Sequence, residues 1–510
     1  MKKQLLLVLL LVCMSGYVHA QRFISDVFST WTVSVDTYAT NYSYLSGTPT
    51  SIPLTMDVYQ PAGDTMSHRP MVIIMHTGSF LPCVINQTPE GFRQDSATVE
   101  LCRRFVKKGY VVANVDYRLG WNPQGSSVDI RTGTIINAIY RAVQDGHSCI
   151  RYFHKDAATV NKYKIDSNKV IIGGHGTGGY IAINLACLTD TNQLKISKFI
   201  SSTTIPAYGF VAGAPYINWG AFGDFNGYGG LSGLNNGSNS VGYGGKPQFV
   251  FTMGGCLGDS SWMTGGLMPI VGIHEPGNPF APYGNGTVYV PGTALTVVDV
   301  SGDSTFVRKA VAVGNNNCFK QYDDTAHDPY TTRARSLSGG VEGLCPISLG
   351  YGQSSPWNWY DSASFVGLAT VGFGYTVGHA DTIIFNDKLS NTGMSKTKAM
   401  AYIDTAMGYL IPRIAYSCLS ILDVHETPYT ANDIAIYPNP VSESVTVKIN
   451  AIAGRIKSIV ITDLAGKTVY QSGILNVNKA TIERGNLSPG VYLISVNTSD
   501  SKVVKKLILQ

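Results

Sequence analysis

Three apolar runs, the continuous Met71–Met75, then Tyr110–Val115 and Val170–Ile172, each end in a polar or glycine-rich turn. Runs of this kind suit strands covered on both faces. Between them lie segments with helical spacing, Thr98–Lys108 and Thr134–Phe153, the second carrying Ile135, Ile136, Ala138, Ile139, Ala142 and Val143 on one face. Strands alternating with helices predict a mainly parallel, doubly wound α/β sheet. Leu54–Tyr59 alternates in the manner of an edge strand, and Met400–Leu419 reads as a closing helix. With 510 residues, 44% of them hydrophobic, the chain is long enough for one large α/β domain and something smaller.

The third run leads into Gly173-Gly174-His175-Gly176-Thr177-Gly178-Gly179-Tyr180, after which Tyr180–Leu188 reads as a helix. This is the layout of the G-x-S-x-G elbow, in which the middle residue occupies a strained strand-to-helix turn and presents its hydroxyl to substrate. The middle residue here is Gly176. Thr177 and His175 are each one place off the apex, so neither supplies the hydroxyl or its equivalent by position.

The ordered series HTGSF at 76–80, GYVVANVDYR at 109–118, YKIDSNKVIIGG at 163–174 and the elbow resembles the esterase/lipase branch of the α/β-hydrolase fold over roughly residues 50–290. By that resemblance, backbone N–H groups near Gly78 and Ser79, with that of Thr177, form an oxyanion hole. Met268–Tyr283 is similar to the strand and loop in which esterases read H-G-x-x-D-P-x-x-P-Y, and the acid position falls on Asn278. Glu275 is read as a loop-surface carboxylate rather than a replacement acid. The resemblance asks for a histidine after the last strand; His379 is the preferred candidate and His327 the second, each beside an aspartate in a loop. With the nucleophile and acid positions both altered, a binding or surface protein on a hydrolase frame is the favoured reading. An active carboxylic-ester hydrolase working without the serine, and a purely structural surface protein, are the alternatives. No cofactor or metal is called for, and a small ester or glycan is the ligand class considered.

Residues 218–246 are rich in Gly, Asn and Ser and read as a lid-like insertion following a sixth-strand region near Phe210–Pro215, with aromatics that are either packed or free to stack on a ligand. Trp357 and Trp359 carry the same two readings, core first.

The N-terminus has Lys2 and Lys3, the apolar run Leu5–Val12 and the small-x-small sequence Val18-His19-Ala20, the pattern of a secretory signal peptide over 1–20 with the mature chain starting at Gln21. Eight cysteines remain after Cys13 is removed: Cys83, Cys102, Cys149, Cys187, Cys256, Cys318, Cys345 and Cys418. Export permits disulfides, no C-x-x-C spacing marks a metal or redox site, and Cys187 is expected to stay a buried thiol, leaving the pairing open. Near-neutral charge over 21–426 and a net +4 over 427–510 give no sign of a nucleic-acid-binding surface, and none is expected.

From residue 427 the composition shifts to a linker and then to short alternating strands with frequent turns, which predicts a small β-sandwich after the 21–426 domain. The order YPNPV from Tyr437, D-x-x-G-K from Asp463, L-x-P-G-x-Y from Leu487 and a terminal KKLI closely resembles the C-terminal sorting domain of the type IX secretion system of Bacteroidota over 436–510. That resemblance implies the secretion translocon and sorting machinery as partners, no transmembrane segment, and delivery across the outer membrane to the cell surface or medium.

Overall fold

The computed structural model describes residues 22–235, 237, 239–321, 329–418, 434–449, 456–473, 475–498 and 502–510. The chain divides into two compact units, Met1–Ile421 and Leu422–Gln510.

The first unit is built on an eight-stranded sheet. Its strands lie among β1 (Trp31–Ser43), β2 (Thr50–Pro61), β3 (Arg69–Met75), β4 (Val111–Val115), β5 (Ile165–His175), β6 (Phe249–Met253), β7 (Cys256–Leu257), β8 (Ile270–His274), β9 (Asn285–Tyr289), β10 (Thr296–Gly302) and β11 (Leu344–Pro346). The order is β1-β2-β4-β3-β5-β6-β8-β11, while β7, β10 and β9 form a small separate sheet. Only β2 runs against its neighbours; from β4 to β11 every pairing is parallel. All residues of β3, β4, β6 and β8 are buried, as their predominantly apolar sequences require, with Asn114, Thr252 and His274 among the polar exceptions buried with them. Met71, Ile73 and Met75 of β3 join the core that includes Ile135, Val143 and Ile183, and the strand period turns Val72 and Ile74 to the opposite face.

Two expectations need correction here. The Leu54–Tyr59 segment belongs to β2, an inner strand, because β1 covers its outer edge. The sixth strand of the sheet is Phe249–Met253, and Phe210–Pro215 contributes only isolated bridges, Ile205 to Phe210 and Ile200 to Pro215. The insertion 218–246 therefore precedes that strand.

The insertion is fastened along the helix Val128–Ala158. Gln144 Nε2 donates to the carbonyls of Phe222 and Asp224 at 2.8 and 2.7 Å, and Arg151 Nη1 to Asn226 O at 2.6 Å. The Arg151 guanidinium also covers the Tyr228 ring at 4.5 Å, so this aromatic is committed to packing. Tyr44 of the connection after β1 donates to Leu234 O at 2.7 Å. Within the insertion, Asn235 Nδ2 donates to the carbonyls of Gly227 and Gly229 at 3.1 and 2.8 Å, so the main-chain acceptors of this Gly-rich segment are met by side chains.

Cys187 is a buried thiol, as are Cys102, Cys149 and Cys256, and Cys318 is disulfide-bonded. Among the described residues of the second unit, seven strands form two antiparallel sheets of three and four strands. Their inward residues, among them Val445, Val447, Ile459, Ile461, Ile494, Val496 and Leu507, make its own core. Among the described residues no helix is long and apolar enough to cross a membrane.

Candidate functional site at the strand-to-helix elbow

At the carboxyl end of β5 the chain turns through Gly176, φ 53° and ψ −126°, into the helix Thr177–Cys187. Such a conformation is nearly closed to other residues. The turn is locked by close backbone packing. A Cβ on Gly174 would lie 2.2 Å from Met75 O, and one on Gly178 2.0 Å from the same oxygen. The Gly176 N–H donates to Met253 O at 2.9 Å, tying the apex to β6.

The loop after β3 faces this apex. Gly78, Ser79 and Phe80 all have positive φ, at 127°, 55° and 55°, and two successive non-glycine residues in that region represent stored strain of about 1–3 kcal/mol each. Gly78 is fixed because a Cβ there would meet Gly91 O at 2.6 Å. Gly91 is held in turn by Asp95, whose Oδ2 accepts from the Gly91 N–H at 2.7 Å. Burial raises the Asp95 carboxyl to about 7 against the pull of those backbone donors. From the D-Y-R segment after β4, Tyr117 donates to His76 O at 2.9 Å and Thr77 O at 3.2 Å, and its ring stacks on His76 at 4.5 Å. The N–H groups of Ser79 and Thr177 make no hydrogen bond among the described residues.

One side chain that sequence reasoning passed over enters the site. A Cβ built on Gly176 would lie 2.2 Å from Thr77 Oγ1 and 3.1 Å from Thr77 Cβ. In the H-G-G-G type of oxyanion loop this position is glycine; the departure is visible in the HTGSF string, but its meaning depends on a contact between two distant loops.

The loop after β8 approaches from the other side. Asn278 Oδ1 accepts from the N–H groups of Phe280 at 2.8 Å and Ala281 at 3.3 Å. Its Nδ2 lies 3.5 Å from the Cβ position of Gly254, just beyond β6. Asn278 thus staples its own loop beside the elbow. Glu275 is not on the surface: it is 2% exposed, and its Oε1 accepts from the Gly277 N–H at 2.8 Å. Burial raises its pKa, opposed by backbone N–H groups of Gly277, Leu349 and Gly350.

The loop following β11 reads Ile347-Ser348-Leu349-Gly350-Tyr351 and contains no histidine. It lies along the Asn278 loop, with the Gly352 N–H donating to Gly277 O at 3.0 Å, and leaves Tyr351 100% exposed. His379 stands on the exposed surface of the helix Val377–Ser390, its ring 4.6 Å from Tyr375. No hydrogen bond or ring contact among the described residues joins it to Gly176 or Asn278. His327 lies outside the described residues. Thus Gly176, Gly78, Ser79, Thr177 and Asn278 gather at one end of the sheet.

A second histidine–carboxylate pair, unread in the sequence, is His274 with Asp303. Both side chains are fully buried; Nδ1 bonds the carboxylate and Nε2 lies 3.1 Å from Ala281 O. Thr252 Oγ1 also donates to Asp303. His274 thus has both ring nitrogens committed to buried oxygen partners. It ties the ends of β6 and β8 to the helix Asp303–Ala312. Trp357 is 1% exposed, in keeping with its reading as core. Among the described residues no cluster of three or more histidine, cysteine or acidic side chains is placed to hold a metal.

Residues 56–207 match the BD-FAE family, an esterase-like α/β-hydrolase family, and residues 435–510 match the secretion system C-terminal sorting domain. The first unit thus contains an esterase-like α/β-hydrolase domain, matched over residues 56–207, and the chain ends in a type IX sorting domain that directs export across the outer membrane to the cell surface or extracellular space.

An endo-acting ulvan lyase of Formosa agariphila is 33% identical over 93 residues, 18% of this chain and 17% of the lyase. The chain therefore spans about a sixth of that curated relative. Among solved structures, esterase 2 of Thermogutta terrifontis phosphorylated by paraoxon is 13% identical, covering 67% of this chain and 95% of that one with a TM-score of 0.35. Its native form is 12% identical, covering 67% and 93% with a TM-score of 0.34.

Proposed function

We propose that the exported esterase-like unit binds a small ester- or carboxyl-bearing ligand at the elbow and does not turn it over. The observation that carries this reading is Gly176: the apex keeps the strained φ 53°, ψ −126° geometry with no side chain to attack a substrate. The donors at Ser79 and Thr177 remain unclaimed beside it, so the capacity to hold an oxygen outlasts the capacity to cleave. Asn278 at the acid position deepens the loss, since exchanging the triad acid for its amide lowers serine-protease turnover by about four orders of magnitude.

The test is hydrolysis of p-nitrophenyl acetate and butyrate by the purified mature chain, beside Gly176→Ser at equal concentration. The expected rate for the natural protein is that of buffer. Turnover well above buffer makes it an active carboxylic-ester hydrolase with another nucleophile and overturns the reading.

A further inference from the structure

A serine at the apex of such an elbow requires a Cβ on the turn and open space in front of it. Here the Cβ is missing and the space is taken. At the 2.2 Å separation from Thr77 Oγ1, a Cβ on residue 176 would be far inside van der Waals contact. Relative to the H-G-G-G loop and G-x-S-x-G elbow, the hydroxyl and the glycine have exchanged loops.

The placement of Thr77 is fixed by its backbone. Its carbonyl accepts from Tyr117 Oη at 3.2 Å and from His76 Nδ1, while the side chain is half-buried and its Oγ1 makes no hydrogen bond among the described residues. A held main chain with an uncommitted hydroxyl suits a group that meets a ligand.

We propose that Thr77 Oγ1 is the ligand-contacting hydroxyl of this site and makes it selective for carboxylates over esters. The inference rests on the elbow being a binding site, as argued above. One carboxylate oxygen takes the N–H groups of Ser79 and Thr177, and the second takes the Thr77 hydroxyl proton. An ester offers its carbonyl to the N–H groups but only a weakly accepting alkoxy oxygen to Thr77. Hydrogen bonds to an ionised acceptor are the stronger kind, and the positive end of the elbow helix favours the anion further.

The experiment is calorimetric titration of the full mature chain with butyrate, butyramide and ethyl butyrate, repeated on Thr77→Val, which removes the hydroxyl at nearly constant volume, and on Thr77→Ser, which keeps it. Butyrate is expected to bind more tightly than either neutral analogue, Thr77→Val to weaken it about tenfold or more and Thr77→Ser to hold it. Equal denaturation midpoints for the three proteins show that folding is not the cause. Butyrate binding unchanged in Thr77→Val, or no preference for the acid, overturns the Thr77 assignment. Ester turnover by the natural protein overturns the binding reading itself, so the two failures are told apart. Gly176→Ser should lose butyrate binding and stability together, and Thr77→Gly combined with Gly176→Ser should regain the stability; a Gly176→Ser protein as stable as the parent, with butyrate binding intact, contradicts the overlap.

Discussion

Arg118 and Asp145 meet at 2.8 Å with their side chains 1% and 0% exposed. The guanidinium also donates to Arg141 O at 2.9 Å and Gln144 Oε1 at 3.0 Å, and Asp145 Oδ2 accepts from the Arg118 N–H at 2.9 Å. This network pins the segment after β4, including the Tyr117 that clamps the Thr77 loop, to the helix Val128–Ala158. Breaking one side of such a buried pair leaves an uncompensated charge and costs about 3–5 kcal/mol. Asp145→Ala and Arg118→Met are each expected to lower the urea midpoint by that equivalent. The double variant should lose much less than the sum of the two, a result a double-mutant cycle reads directly.

Acid stability should follow two buried histidines. Burial pushes His147 down to about 4 while its Nδ1 bonds Gly245 O at 2.7 Å, and burial with the neighbouring His76 pushes His175 down to about 3. Both are neutral in the folded chain, whereas in the unfolded chain they take up protons below about 6.5. Their contribution is therefore whole above pH ~6.5 and drains away as pH falls toward the folded values, at about 1.4 kcal/mol per pH unit for each proton. Urea midpoints measured from pH 7 to pH 4 should fall, and His175→Asn should flatten the slope. An unchanged slope in that variant would assign the acid sensitivity elsewhere.

Glu90 carries the opposite sign. Burial raises its carboxyl well above the usual range, and the negative charges of Asp387 and Asp95 add to the shift. Asn358 donates to it, joining the segment after Trp357 to the Thr77-loop connection. For a raised carboxyl the stabilisation is complete below the unfolded value of about 4.3 and is lost as pH rises through the folded one. Glu90→Gln should thus gain stability over the parent as pH climbs from 4.5 to 8, with little difference at the acid end. A constant difference across that range would remove the carboxyl from the account.

Deleting residues 435–510, the segment matching the sorting domain, should leave the protein inside the outer membrane. Cell fractionation and protease shaving of intact cells read this: surface accessibility for the full chain, protection for the truncated one. Equal accessibility of both would mean that export does not depend on this domain.

Much of the sheet was legible because its central strands are buried on both faces and announce themselves as apolar runs; Met71–Met75 and Tyr110–Val115 fall on β3 and β4 almost to the residue. The outer strand β1 was missed because Trp31–Ser43 leaves its first half largely solvated and polar. Once β1 is absent, β2 looks like an edge. The sixth strand was misplaced since Phe210–Pro215 is as apolar as a short strand but lacks partners beyond single bridges. Gly176 and Asn278 stand out in local strings as departures from the motifs they sit in, while Thr77 gains meaning only from proximity to Gly176. Glu275 looked like a loop carboxylate because nothing local reveals the backbone donors that the β11 loop brings to it.

The contact of Gly174 and Gly178 with Met75 O has a consequence for how such sites persist. Main chain resting on main chain leaves no room for a methyl group, so any larger residue at either glycine is excluded by the strand beneath, whatever the apex carries. The curvature of the turn is thereby maintained by the folding of the sheet, and chemistry at residue 176 is free to drift above it. Hydrolase frames that have exchanged their reactive residues should therefore be recognisable by this backbone shape and its two contact glycines, where a search for serine, histidine and acid together would pass them by.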